Sequence, residues 1–117
     1  ALPASIGGCT KLKGLFLDFN RLSRLPEEIG QLKLLEDLNL EDNSIVKLPK
    51  ALCKGSCESL KGLYLQNNKL EALGFKPKLM PHLRKMSLGN NAMSAQARAE
   101  AEADLADAGV ESVTTRY

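Results

Sequence analysis

The sequence predicts an α/β fold: a right-handed solenoid whose short strands stack into one concave parallel sheet, with an irregular or short-helical convex side and an α-helical C-terminal cap. Three observations predict it. Of 117 residues, 22 are leucine, whereas only five are aromatic and none is tryptophan. An eleven-residue template, LxxLxLxxNxL, recurs four times, beginning at Leu12, Leu35, Leu60 and Leu83, with steps of 23, 25 and 23 residues. Beyond residue 93 the template stops and alanine takes over. A core rebuilt from one narrow side chain in successive layers accounts for the leucine excess and for its spacing.

The first template reads Leu12, Leu15, Leu17, Asn20, Leu22, and the second Leu35, Leu38, Leu40, Asn43, Ile45. Leu60, Leu63, Leu65, Asn68, Leu70 form the third, and Leu83, Met86, Leu88, Asn91, Met93 the fourth. Each LxL alternation is a short strand with successive side chains on opposite faces, so Leu15 and Leu17 turn inward while Phe16, Asn39, Tyr64 and Ser87 turn outward. One such unit cannot bury its own apolar face. Neighbours must stack and share a core, with strands about 5 Å apart in a parallel sheet.

Asn20, Asn43, Asn68 and Asn91 stand where the chain leaves each strand. A side-chain amide carries both donors and an acceptor, so a buried asparagine column can pair the backbone groups that turns leave orphaned. The linkers align too. Leu2, Pro3, Ile6 and Cys9 precede the first template as Leu25, Pro26, Ile29 and Leu32 precede the second. Leu48, Pro49, Leu52 and Cys57 follow once two extra residues near Lys54 to Ser56 are absorbed. The fourth linker keeps Leu73 and Met80, but Gly74, Pro77 and Pro81 predict an irregular path.

Template and linkers together resemble those of leucine-rich repeat proteins. The phrases LPASIGGCTKL and LPEEIGQLKLL are similar to the 23-residue intracellular subtype of Ras-pathway scaffolds, Scribble-like proteins and plant Ras-group-related repeat proteins. The resemblance covers residues 2 to 93 and implies a protein-binding role.

From Ser94 to Ala108 the composition predicts a helix, with Ser94 as N-cap and Gly109 as stop. Ala97, Ala101, Leu105 and Ala108 give it a narrow apolar stripe to dock on the last repeat. Val110, Val113, Thr114 and Thr115 read as a final strand. The fourth copy, with a full helix as its return, resembles a ribonuclease-inhibitor-type repeat. Residues 1–93 are therefore expected to form the repeats, and 94–117 a polar cap. The chain opens at Ala1 and Leu2 in mid-linker, which predicts a piece of a longer chain or an end covered by a partner.

Charge and motif content narrow the function. Sixteen Lys and Arg against fourteen Asp and Glu leave a net +2, too balanced for a nucleic-acid or membrane-surface footprint. Apolar runs are too short for a transmembrane helix. No GxSxG, phosphate loop or HExxH occurs, and His82 between Pro81 and Leu83 reads as a surface or linker residue, so no enzyme and no cofactor are expected. Cys9 and Cys57 fall at the Leu32 and Met80 position, which predicts small buried core residues. Cys53 and Cys57 have the spacing to close a disulfide or to hold half a metal site. A structural zinc needs about four ligands, and no metal site is expected. An odd cysteine count and the lack of any glycosylation sequon favour a reducing, cytoplasmic setting.

The outward strand positions are the candidate site. Repeat one offers Lys13, Gly14, Phe16, Asp18 and Phe19, and repeat two Glu36, Asp37, Asn39, Glu41 and Asp42. Repeat three offers Lys61, Gly62, Tyr64, Gln66 and Asn67, and repeat four Arg84, Lys85, Ser87, Gly89 and Asn90. The expected partner-binding residues are Phe16, Asp18, Phe19, Asn39, Glu41, Asp42, Tyr64, Gln66, Arg84 and Lys85, with a basic knob of the partner meeting Glu41 and Asp42. Three of five aromatics lie on this face, which the fold does not need to fill, and aromatics are enriched at interfaces. The expected function is a scaffold that holds a polypeptide. The alternative is a structural subunit that contacts its neighbours through the first repeat or the convex side.

Overall fold

A computed structural model describes residues 2–50, 52, 58–74 and 80–112. Two 3-10 turns, η1 (Ala4–Gly8) and η2 (Glu27–Gln31), precede the strands β1 (Gly14–Phe16) and β2 (Asp37–Asn39). Then come β3 (Gly62–Tyr64), β4 (Lys85–Ser87), the helix α1 (Ala95–Asp107) and β5 (Glu111–Ser112). The strands form one parallel sheet in chain order, β1-β2-β3-β4-β5. Register follows the template: Leu15, Leu38, Leu63 and Met86 lie in one row, and Phe16, Asn39, Tyr64 and Ser87 in the next.

Proline sets the convex turns. Pro3 and Pro26 hold extended backbone just before η1 and η2 (ψ 152° and 151°), a position where a missing amide costs nothing. Their carbonyls accept from Ile6 N and Ile29 N, each at 3.1 Å, and Pro49 O accepts from Leu52 N at the same distance. Three linkers therefore start with one geometry. The fourth runs through residues 75–79, outside the described residues, although Leu73 and Met80 at its two ends are buried as the alignment requires.

The core is a file of side chains from all layers. Ile29, Leu32, Leu35, Leu38, Leu40, Leu60, Leu63 and Leu65 are fully buried, whereas Leu12, Leu15 and Leu17 of the first layer are only partly covered. Cys9 departs from the expectation of a core residue: it is exposed and free. Leu32, at the same linker position, has a layer on each side, and Cys9 has one only on one side. Cys57, with Cys53, lies outside the described residues.

The asparagine column does what its chemistry permits, and most fully in the second repeat. Asn43 Oδ1 accepts from Asn20 N (3.1 Å) and Leu22 N (2.8 Å). Its Nδ2 donates to Leu17 O and Leu40 O, both at 2.9 Å, and to Glu41 O at 3.1 Å. Asn68 bridges Ile45 N and Leu40 O in the same way, and Asn91 bridges Leu70 N and Leu65 O. Burial was expected for all four asparagines. Asn43 and Asn68 are buried and Asn91 is half-buried, but Asn20, with no repeat before it among the described residues, is exposed.

Ser94 caps α1, its Oγ accepting from Ala97 N at 3.1 Å. At the other end Gly109 takes the left-handed conformation (φ 73°). There Gly109 N reaches Ala106 O and Val110 N reaches Leu105 O, the paired bonds that close a helix on a glycine. Ala101, Leu105 and Val110 join the common core. The final strand is β5, which pairs with β4; Val113, Thr114 and Thr115 lie outside the described residues.

Candidate recognition face

Strand twofold alternation sends one row of side chains into the core and the next onto the open face of the sheet. On that face Phe16 is 65 % exposed and Phe19 60 % exposed, the two most exposed large apolar side chains among the described residues. Glycine explains how the rings lie. A Cβ on Gly14 would come within 2.9 Å of the Phe16 ring, and one on Gly62 within 2.7 Å of the Tyr64 hydroxyl and 3.0 Å of Asp37 Oδ1. Each ring folds back over the glycine two residues before it. The motif Gly-Leu-aromatic, at 14–16 and again at 62–64, is the sequence signal for this arrangement, and Asp37 is the site residue that the sequence reading left out of the binding set.

Tyr64 is half-buried here, and its phenol is held above the usual tyrosine value by that burial and by the Asp37 and Glu41 carboxylates. A raised folded-state value means that stability is intact below the ordinary value near 10 and is lost as pH rises through the raised one. The thermal midpoint is therefore expected to fall above pH 10, and to fall less steeply in Tyr64→Phe, as followed by circular dichroism across an alkaline series.

Repeats three and four present a different surface from the one expected. Ser87, Glu41 and Gln66 were expected to lie exposed on the outward face, Glu41 and Gln66 as partner-binding residues, but all three are buried, Glu41 to 1 % exposure. Ser87 Oγ donates to Glu41 Oε2 (3.1 Å) while accepting from Leu65 N (3.2 Å), so Glu41 reaches across the intervening repeat. Gln66 lies against Gly89, where a Cβ would stand 3.6 Å from its side chain. Ser87 and Gly89, the small residues among the outward positions of repeat four, lie against the longer side chains of Glu41 and Gln66. Asn39 turns its Oδ1 to Glu41 N (3.0 Å), and Lys61 pairs with Glu36 (3.5 Å). Arg84 and Lys85 stay exposed, and Asp18 is half-buried.

A second polar ladder runs along the edge of the face. Asn90 Nδ2 donates to Asn67 Oδ1 (2.8 Å), and Asn67 Nδ2 donates to Asp42 Oδ1 (3.1 Å). All three residues have positive φ (54°, 61° and 57°), a region that Asn and Asp tolerate. The ladder stops at Phe19, which holds the same conformation (φ 62°) with a bulky side chain. Left-handed backbone costs about 1–2 kcal/mol for an ordinary L residue, and Asp42 Oδ2, next in line, is buried without a hydrogen-bond partner among the described residues. The backbone conformation at position 19 is one that asparagine adopts more readily than phenylalanine.

No family model matches the chain. A leucine-rich repeat protein of Leptospira interrogans has a similar structure, with a TM-score of 0.87 and 30 % identity over 97 % of this chain and 28 % of that one. An adenylate cyclase of Schizosaccharomyces pombe is 50 % identical over 48 residues, 40 % of this chain and 3 % of the cyclase. The chain thus spans less than a third of either protein. The repeat register, the parallel sheet and the Leptospira likeness agree that the fold is of the leucine-rich-repeat type.

Proposed function

We propose that this chain is a protein-recognition scaffold that holds a polypeptide partner against its open strand face. The observation that carries the reading is the exposure of Phe16 and Phe19 on a face where Glu41, Gln66 and Ser87 are buried. Rigid preformed surfaces bind with little ordering cost, and a few aromatic anchors dominate such interfaces. No chemistry is assigned to the chain in this reading. The 23-residue step and the proline-led linkers support the intracellular subtype, wound right-handed as parallel crossovers prefer.

The test is affinity capture from lysate with crosslinking and mass spectrometry, run on the parent chain and on Phe16→Ser/Phe19→Asn. The variant is expected to lose capture at least tenfold while its circular dichroism melt does not fall; undiminished capture would refute the strand-face reading. An intracellular setting predicts three titratable thiols after denaturation without reductant, and a count of one would overturn that part.

A further inference from the structure

The flank on which the chain runs from each asparagine turn down to the next proline-led turn carries a groove that the strand-face reading does not use. Its volume is about 540 Å³, within the range of about 300–1,000 Å³ typical of ligand clefts. Leu25 and Leu73 are buried in its walls, and Leu48 and Pro49 are half-buried. Val46, also in the lining, is 44 % exposed, one of four large apolar side chains left exposed among the described residues. Repeat spacing sets the charges beside this floor. Arg24 stands one residue before Leu25 as Lys47 stands one residue before Leu48, so stacking of successive coils brings the two cations side by side. Lys50 lines the same groove, and all three are exposed and make no ion pair among the described residues. The acids of the lining are Glu27, which has a partner of its own, and Glu71, which takes the place in the next coil that Val46 takes in its own. Cations therefore flank one end of an apolar floor and a carboxylate the other.

We propose that this groove binds an extended polypeptide segment in which a single acidic side chain neighbours a large apolar one. The acid's carboxylate bridges Arg24 and Lys47, which relieves the repulsion of two adjacent cations, and the apolar side chain covers Val46 against Leu48 and Pro49. Charge complementarity selects this occupant. Glu71 opposes a second carboxylate, so the groove takes one acid and not an acidic run. Three cations against two acids leave too little charge for a phosphate polymer, whose affinity grows with the number of phosphates neutralised. Anionic bilayers are held by denser clusters, of about four to eight basic residues. A nucleic-acid backbone would also leave Val46 uncovered, whereas a peptide satisfies the cations and the floor in one step. This surface is separate from the strand face and does not depend on what that face binds.

The experiment pans a random heptapeptide display library on the immobilised chain. Selected peptides are then measured by fluorescence anisotropy, at low and high salt, against the parent, Arg24→Gln/Lys47→Gln, Val46→Asp and Phe16→Ser/Phe19→Asn. The groove substitutions change exposed side chains, so circular dichroism melts matching the parent's are expected for both. A set of peptides that pair Asp or Glu with a large apolar neighbour is expected. Their binding should weaken about tenfold in Arg24→Gln/Lys47→Gln at low salt and less at high salt, where charge is screened. It should weaken in Val46→Asp at both salt concentrations and stay unchanged in Phe16→Ser/Phe19→Asn. Peptides that respond to the phenylalanine variant alone would overturn the groove proposal and leave the strand-face reading standing; peptides that respond to the groove variants alone would support the groove without supporting the strand face. Selected peptides without an acid, no enrichment over bare matrix, or tighter binding of a labelled oligouridylate or of phosphatidylserine vesicles than of any selected peptide would each overturn the proposal.

Discussion

Replacing Asn43 with alanine is expected to destabilise the fold by about 3–5 kcal/mol, because one buried and two part-buried backbone groups lose their partner at about 1–3 kcal/mol each. Leu22 N and Leu17 O bond to this side chain and to no other described group, and Asn20 N depends on it as well. Leu40 O and Glu41 O survive the change, since Asn68 Nδ2 and Phe19 N still reach them. A domain of this size has about 5–15 kcal/mol in all, so the variant should show a urea midpoint reduced by about a fifth or more. Asn20→Ala is the matched control. That amide is exposed and donates only to Asp18 O, and its loss is expected to cost under about 1 kcal/mol. Equal midpoints for the two variants would show that the column is not what holds the turns.

Asparagine position was legible in the sequence, and asparagine burial was not, for one physical reason. Spacing names the residues that face a layer, but burial depends on whether a layer lies on both sides. Asn20 and Cys9 match Asn43 and Leu32 position for position and differ from them only in that respect. The strand register, the proline-led turns, and the helix between Ser94 and Gly109 follow from local rules and appear where those rules place them. The outward face obeys no such rule. Whether Glu41 meets solvent or Ser87 is decided by the absence of side-chain bulk two repeats away, at Gly89 and Ser87 itself. Phe16 and Phe19 are exposed in a layer whose strand has, among the described residues, a neighbour on one side only. Direction alternates by sequence position, whereas exposure is a property of neighbours, and only the first can be read from one strand at a time.

Leu63→Ala is expected to cost about 2–5 kcal/mol, the range for deleting a fully buried leucine into a rigid core. Its side chain is wholly buried, and its strand is flanked by Leu38 on one side and Met86 on the other, so the cavity opens against two layers. Leu15→Ala removes the same atoms from a layer with one strand neighbour and partial cover, and about half that loss is expected. Comparable losses at the two positions, read from urea midpoints at constant m-value, would contradict a core built by stacking. The comparison also separates folding from recognition. Leu63 and Tyr64 are adjacent in one strand and point to opposite faces, so a core deletion lowers the folded fraction without altering the rings that bind. A captured partner should then bind the folded fraction of Leu63→Ala as tightly as it binds the parent, while Phe16→Ser/Phe19→Asn shows the reverse: an intact fold, and a face that no longer holds its partner.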